Sequence, residues 1–208
     1  MFGGNFQTWK LHSAQDYFMF FAYLLAGILV FWLIAKHMNK QRNHEKAVEK
    51  VSARLKKICG KPGEVLKNAT LNLPEGKMTF DAVLMDKRGV YLVRTYGWVI
   101  KIYGTPDGAM WRRGGAKRKE EFENPLLNLK KGAEEIGKIM EENGVHNLKV
   151  MPMVVFADNY QTPELYLGYG SYSTTYQELK SWYKKQSGVK EVQYDYDKVS
   201  SIIKGLAK

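Results

Sequence analysis

The chain opens on a pattern that changes twice. Residues Tyr17 to Ala35, YFMFFAYLLAGILVFWLIA, are 19 consecutive residues without a charge. At about 1.5 Å per residue such a helix crosses a hydrocarbon core of about 30 Å, so the run reads as one transmembrane helix. Beyond it the apolar positions become periodic. Ala47, Val51, Leu55 and Ile58 fall on one face of a helix that stops at Gly60-Lys61-Pro62-Gly63. Between Gly27 and Gly60 there is no Gly or Pro, so the first helix is expected to continue into the second without a hinge.

The pattern then shortens to strand length. Glu64 to Leu73, Lys77 to Met85 and Val90 to Tyr96 have strand character and are separated by Pro74-Glu75-Gly76 and Asp86-Lys87-Arg88-Gly89, which is turn chemistry. An antiparallel meander is predicted. A fourth strand is expected over Trp98 to Tyr103, followed by a loop over 105–123 with Trp111 at its centre. Asn124-Pro125 opens a helix with apolar positions Leu126, Leu129, Ala133, Ile136 and Met140, closed by Asn143-Gly144. Leu148 to Phe156 reads as a buried strand, and helices are expected near Thr175 to Lys185 and Lys198 to Ala207. The predicted organisation is a short N-terminus (1–16), a membrane helix (17–35), a basic juxtamembrane helix (36–60), a core (61–157) and a strand and helix extension (158–208).

Charge sharpens this organisation. The 208 residues carry 32 Lys and Arg against 21 Asp and Glu, a formal +11. Residues 36–60 hold eight basic groups and two acidic ones, so +6 of the excess follows the apolar run directly. A cleavable signal peptide would carry its positive charge ahead of the run. By the positive-inside rule the expected location is a single-pass membrane protein with its N-terminus outside and the rest cytoplasmic. The juxtamembrane cations are read first as contacts to anionic membrane lipid. Asn68-Ala69-Thr70 fits a glycosylation pattern but, on the cytoplasmic side, is expected to be part of a strand.

Other chemistry is sparse. One cysteine, Cys59, excludes an internal disulfide and a four-cysteine zinc site, and His12, His37, His44 and His146 show no ligand spacing. No nucleophile and base pair, phosphate loop, cofactor or small-molecule substrate is indicated. Arg112, Arg113, Lys117, Arg118 and Lys119 form a basic cluster able to contact nucleic-acid phosphates, although Glu120, Glu121 and Glu123 follow at once. The tyrosines around Leu165-Tyr166-Leu167-Gly168-Tyr169 are read as packing in a strand pair before base stacking.

More specific are several short strings in order. Phe80-Asp81-Ala82-Val83-Leu84-Met85, Gly89-Val90-Tyr91-Leu92-Val93, Gly97-Trp98 with Gly104, Trp111, Asn124-Pro125-Leu126 and Met153-Val154-Val155-Phe156 together resemble the nuclease-related domain (NERD) family over residues 45–157. The resemblance implies a restriction-endonuclease-like, PD-(D/E)XK fold, and the element order α-β-β-β-α-β behind a single transmembrane helix agrees with that α+β or α/β class. It also implies a metal site in which an Asp and a Glu hold Mg²⁺, a hard cation that takes oxygen ligands, and a Lys activates water. Asp81 matches the Asp. Arg94 stands where the Glu is implied and Tyr96 where the Lys is implied, Asn128 replaces a Gln on the later helix, and Glu45 or Glu49 would supply the carboxylate of the first helix.

Arg94 and Tyr96 share a strand face beside Asp81, so the guanidinium is expected to take the cation's place and pair with the carboxylate. The chain therefore reads as a membrane-anchored pseudo-enzyme that binds nucleic acid or protein, with no metal site. A metal-dependent nuclease using Mg²⁺ on Asp81 with Glu45 or Glu49 and Lys101 is the alternative, and a structural subunit of a membrane protein assembly is the third.

Overall fold

The computed structural model describes residues 13–41, 44–97, 101–115, 118–158, 162–186 and 194–207. They belong to two compact units, Met1–Lys40 and Gln41–Lys208.

In the first unit, helix α1 spans Ala14–Gln41. Its start is a reciprocal cap, with the Asp16 N–H donating to Ser13 Oγ at 3.2 Å and the Ser13 N–H to Asp16 Oδ2 at 3.1 Å. Over Ala14–Lys36 the helix is long and apolar enough to cross a membrane, and none of that stretch is buried against protein among the described residues. Near its basic end the Lys36 ammonium lies 4.5 Å from the Trp32 ring. The join expected to be hingeless, residues 42 and 43, lies outside the described residues.

The second unit begins with α2 (His44–Cys59) and the strands β1 (Glu64–Leu73), β2 (Gly76–Asp86) and β3 (Gly89–Tyr96). These form the expected antiparallel meander. Then come β4 (Lys101–Gly104), β5 (Met110–Gly115), β6 (Arg118–Glu123), α3 (Pro125–Glu142) and β7 (Val150–Phe156). The chain finishes through β8 (Glu164–Leu167), β9 (Ser173–Thr175), α4 (Leu179–Gln186) and α5 (Tyr196–Leu206). Two mixed sheets result, one ordered β1-β2-β3-β7-β9 and the other β6-β5-β4-β8. Strand β7 runs parallel to β3 and β9 parallel to β7, which places the later residues Ser173–Thr175 in the same sheet as the meander.

Helices cover both faces of the larger sheet. On one face Val83, Met85, Val90 and Leu92 pack with Leu126, Leu129 and Ile136 of α3 and with Val199 and Ile203 of α5. On the other, Ala82, Leu84, Tyr91 and Val93 pack with Ala47, Val51 and Leu55 of α2 and with Leu179 and Tyr183 of α4. Adjacent residues of β2 and β3 are thus buried on opposite sides, which is why both read as continuous apolar runs. Gly89 has φ 140°, and a side chain there would run into the Lys149 carbonyl that accepts the Val90 N–H.

One expectation is corrected. Residues 105–123, expected as a loop, contain the β5–β6 hairpin, paired from Met110↔Glu123 to Gly115↔Arg118. The hairpin contributes only two large apolar residues to the core side, Trp111 and its cross-strand partner Phe122, with ring centroids 6.2 Å apart. Most of its other paired positions are charged or glycine, so the two-residue apolar alternation that marks a strand is missing from the sequence. The expected strand at 98–103 is observed from Lys101, its residues 98–100 lying outside the described residues. Asn68-Ala69-Thr70 lies within β1, as expected.

Candidate functional site

The site forms where the regular pairing of three elements fails. Strands β1 and β2 pair in one register from Glu64↔Met85 to Leu73↔Gly76, but Asn68 and Asp81, which that register would oppose, are skipped. Asn68 has φ 47°. On both strands the apolar face changes parity at this point: Leu66 and Ala69, and likewise Phe80 and Val83, pack on the same side although they are three residues apart. The interruption leaves Asp81 free of the pleat.

Strands β2 and β3 part at the same place. Their ladder ends at Ala82↔Val93, so Asp81 and Arg94 are the next opposed pair and no longer exchange backbone hydrogen bonds. The Asp81 carboxylate enters that gap. The Thr95 N–H donates to Asp81 Oδ2 at 2.6 Å, and Arg94 Nη1 donates to Asp81 Oδ1 at 3.3 Å. The second guanidinium nitrogen, Nη2, donates to the Thr79 carbonyl at 3.0 Å. Arg94 therefore holds both a side chain and the backbone of β2, with its planar fork spanning the opening.

A third group comes from α2. His44, the first residue of the helix, brings Nε2 to 3.5 Å from Asp81 Oδ1. Sequence reasoning missed it, because a lone histidine inside the basic stretch has no ligand spacing. The helix position where a carboxylate was sought was the available signal. Glu45 and Glu49 are exposed on α2. Asp81 itself is buried, with 4% exposure, while Arg94 and His44 are open to solvent on their outer sides.

Tyr96 is held by ring contacts. It stacks on Phe156 at 5.6 Å and packs against Phe122 at 5.4 Å, and burial pushes its hydroxyl up to about 12. Lys101 lies on β4 of the other sheet, opposite Glu164 of β8, and pairs with it at 3.1 Å.

Strand geometry also divides the basic cluster. Arg112 Nε donates to Glu121 at 2.9 Å and Arg113 Nε to Glu120 at 2.6 Å, each to its direct cross-strand neighbour. Being adjacent on one strand, the two arginines face opposite sides of the sheet. Lys119 is exposed on β6. Lys117 and the side chain of Arg118 lie outside the described residues.

Asn124 explains the Asn-Pro pair at the start of α3. Its Oδ1 accepts the Leu126 N–H at 2.9 Å, which caps the helix, and its Nδ2 donates to the Gly108 carbonyl at 2.7 Å and the Pro106 carbonyl at 3.1 Å. One buried amide thus fixes the entry of α3 to the turn before β5. Asn128 is exposed on α3.

A family model described as nuclease-related domain matches residues 40–157. The chain belongs to the nuclease-related domain family. An uncharacterized protein of Bacillus anthracis is 31% identical over 112 residues, which cover 53% of this chain and 52% of that protein. The chain therefore spans about half the length of the curated relative it matches. No solved structure matches it.

Within this NERD domain the groups around Asp81 do not suit the Mg²⁺ that the resemblance implies. A hard divalent cation takes several oxygen ligands, usually from more than one carboxylate. Here a single carboxylate stands alone among a guanidinium, an imidazole and a backbone N–H, all of which are hydrogen-bond donors or nitrogen ligands. Among the described residues no group of three or more His, Cys, Asp and Glu is arranged to hold a metal ion. The arrangement can orient a carboxylate and close a strand gap; among these contacts there is no second carboxylate and no lysine for water activation.

Proposed function

We propose that this chain is a membrane-anchored NERD-domain protein whose nuclease centre has become a structural ion pair and whose domain acts as a binding module for nucleic acid or protein. The observation that carries the reading is the saturation of Asp81: Thr95 N–H, Arg94 and His44 occupy the carboxylate that a nuclease would offer to its metal. Arg94 supplies the positive charge without the Lewis acidity. The order α2, β1-β2-β3, α3, β7, with β7 added parallel beside β3, supports a restriction-endonuclease-like core into which β4–β6 are inserted.

The exposed apolar residues of α1 support a membrane span, since a helix apolar on all sides is stable only in protein or lipid. Trp32 and Lys36 at one end, followed by the basic stretch, support an orientation with the NERD domain in the cytoplasm. The paired hairpin arginines lower the field available to a nucleic acid, so that contact rests on the groups not held by Glu120 and Glu121.

The reading is tested by incubating the chain with single- and double-stranded DNA and Mg²⁺ or Mn²⁺, beside an Asp81→Ala control. No cleavage above the control is expected. Cleavage that depends on Asp81 overturns the loss of activity. Binding of labelled DNA at increasing salt then separates a nucleic-acid partner, whose affinity falls steeply, from a protein partner.

A further inference from the structure

Away from Asp81, the outer side of α2 forms an open groove of about 360 Å³ with the β9–α4 connection, lined by Lys50, Arg54, Lys57, Ile58, Tyr176 and Lys180. Lys50, Arg54 and Lys57 recur at helical spacing on one ridge of α2, and Lys180 faces them from α4. Four cations and no carboxylate line this space.

The groove has an aromatic centre. The Lys50 ammonium lies 4.4 Å and the Arg54 guanidinium 4.5 Å from the Tyr176 ring. Arg54 Nη2 also donates to the Gln177 carbonyl at 3.4 Å. The ring and the carbonyl hold two long side chains in place, which lowers the entropy lost when a ligand is bound. The assembled charge suits a dianion with several acceptor oxygens. Its volume matches one small group; a nucleic-acid strand calls for cations strung along a track.

We propose that this groove is a binding site for a compact phosphate group, carried either by a soluble phosphate compound or by a lipid headgroup. The site uses none of the groups around Asp81 and stands or falls independently of the lost nuclease centre.

The test uses the full chain in a phosphate-free maltoside detergent, titrated calorimetrically with pyrophosphate. Saturable binding is expected, weakened at least roughly tenfold in Lys57→Gln/Lys180→Gln, because each substitution removes a charge-assisted contact. Both lysines are exposed, so the variant should melt with the parent chain. Tyr176→Phe keeps the ring and should retain binding, whereas Tyr176→Leu should lose it. Repeating the titration in micelles doped with phosphatidic acid separates the sources. Loss of pyrophosphate binding there identifies a headgroup, and unchanged binding identifies a soluble ligand. The proposal is overturned if pyrophosphate does not bind, if it binds equally well to the double variant, or if a single-stranded oligonucleotide binds through these lysines and pyrophosphate cannot displace it.

Discussion

Arg94 and Asp81 face each other one step beyond the last backbone pair of β2 and β3, and the guanidinium bridges from the carboxylate at 3.3 Å to the Thr79 carbonyl at 3.0 Å. The geometry predicts what reversal of the charge would do. In Arg94→Glu two carboxylates meet at a partly buried point, and repulsion with desolvation should lower stability by about 2–3 kcal/mol near neutral pH. The same change supplies a second carboxylate, the ligand a hard divalent cation prefers. Mn²⁺ at a hundred times its dissociation constant would restore about 2.7 kcal/mol. Thermal unfolding with and without Mn²⁺ checks this: the variant should recover with metal, and the parent chain should not respond. A rise for the parent chain would show that Asp81 still recruits metal beside Arg94.

Asp81 should matter for stability apart from any catalysis. Its carboxylate is the acceptor for the Thr95 N–H, whose residue is 1% exposed. Asp81→Ala leaves that donor without an acceptor and is expected to cost about 2–3 kcal/mol, with little from Arg94, which can turn to water. Asp81→Asn keeps an oxygen for Thr95 and should cost about half as much. Urea unfolding with unchanged m-values measures both. Equal losses in the two variants would mean that the charge, and not the acceptor, holds the strands.

How much of this was legible depended on which force set each element. The meander and α3 could be read because their turns and caps are local: Asn124 accepts the N–H only two residues away. Arg94 and Asp81 could be paired because strand parity placed them across the meander. The β5–β6 hairpin could not, since much of its cross-strand facing consists of pairs such as Arg112–Glu121 and Arg113–Glu120, which look like a charged loop until the register is known. His44 was hidden for a related reason. Its approach to Asp81 depends on where α2 docks, which is fixed by Ala47, Val51 and Leu55 packing on the sheet, and no spacing along the chain encodes it.

Docking of α3 is tight at one glycine and loose at another, and the contrast is measurable. A Cβ on Gly132 would lie 2.9 Å from Cζ of Phe80, a ring that is 1% exposed and has no room to move aside. A Cβ on Gly137 would meet nothing within 4 Å. Both substitutions to Ala gain helix propensity of about 1 kcal/mol, but at 132 overpacking of about 1–3 kcal/mol opposes it. Gly137→Ala should therefore raise the denaturation midpoint and Gly132→Ala lower it. If both raise it, α3 has slack against the sheet at Phe80.

Alkaline pH should loosen the domain through its buried tyrosines. Burial raises Tyr91, Tyr194 and Tyr96 above the ordinary value of 10.0, Tyr96 to about 12. In the unfolded chain these hydroxyls ionise near pH 10. Between pH 10 and 12 the unfolded state therefore binds fewer protons than the folded state, and stability falls as pH rises. Below pH 10 both states keep the proton and the contribution is fully present. Tyr96 alone accounts for roughly 2 kcal/mol of this loss by pH 12, at about 1.4 kcal/mol per pH step. In Tyr96→Phe the ring contacts with Phe122 and Phe156 are kept while the titrating group is gone. The decline in unfolding free energy over that window should be correspondingly shallower than in the parent chain, whatever the two stabilities at neutral pH. Parallel curves would mean that the Tyr96 hydroxyl reaches water and ionises with the exposed tyrosines.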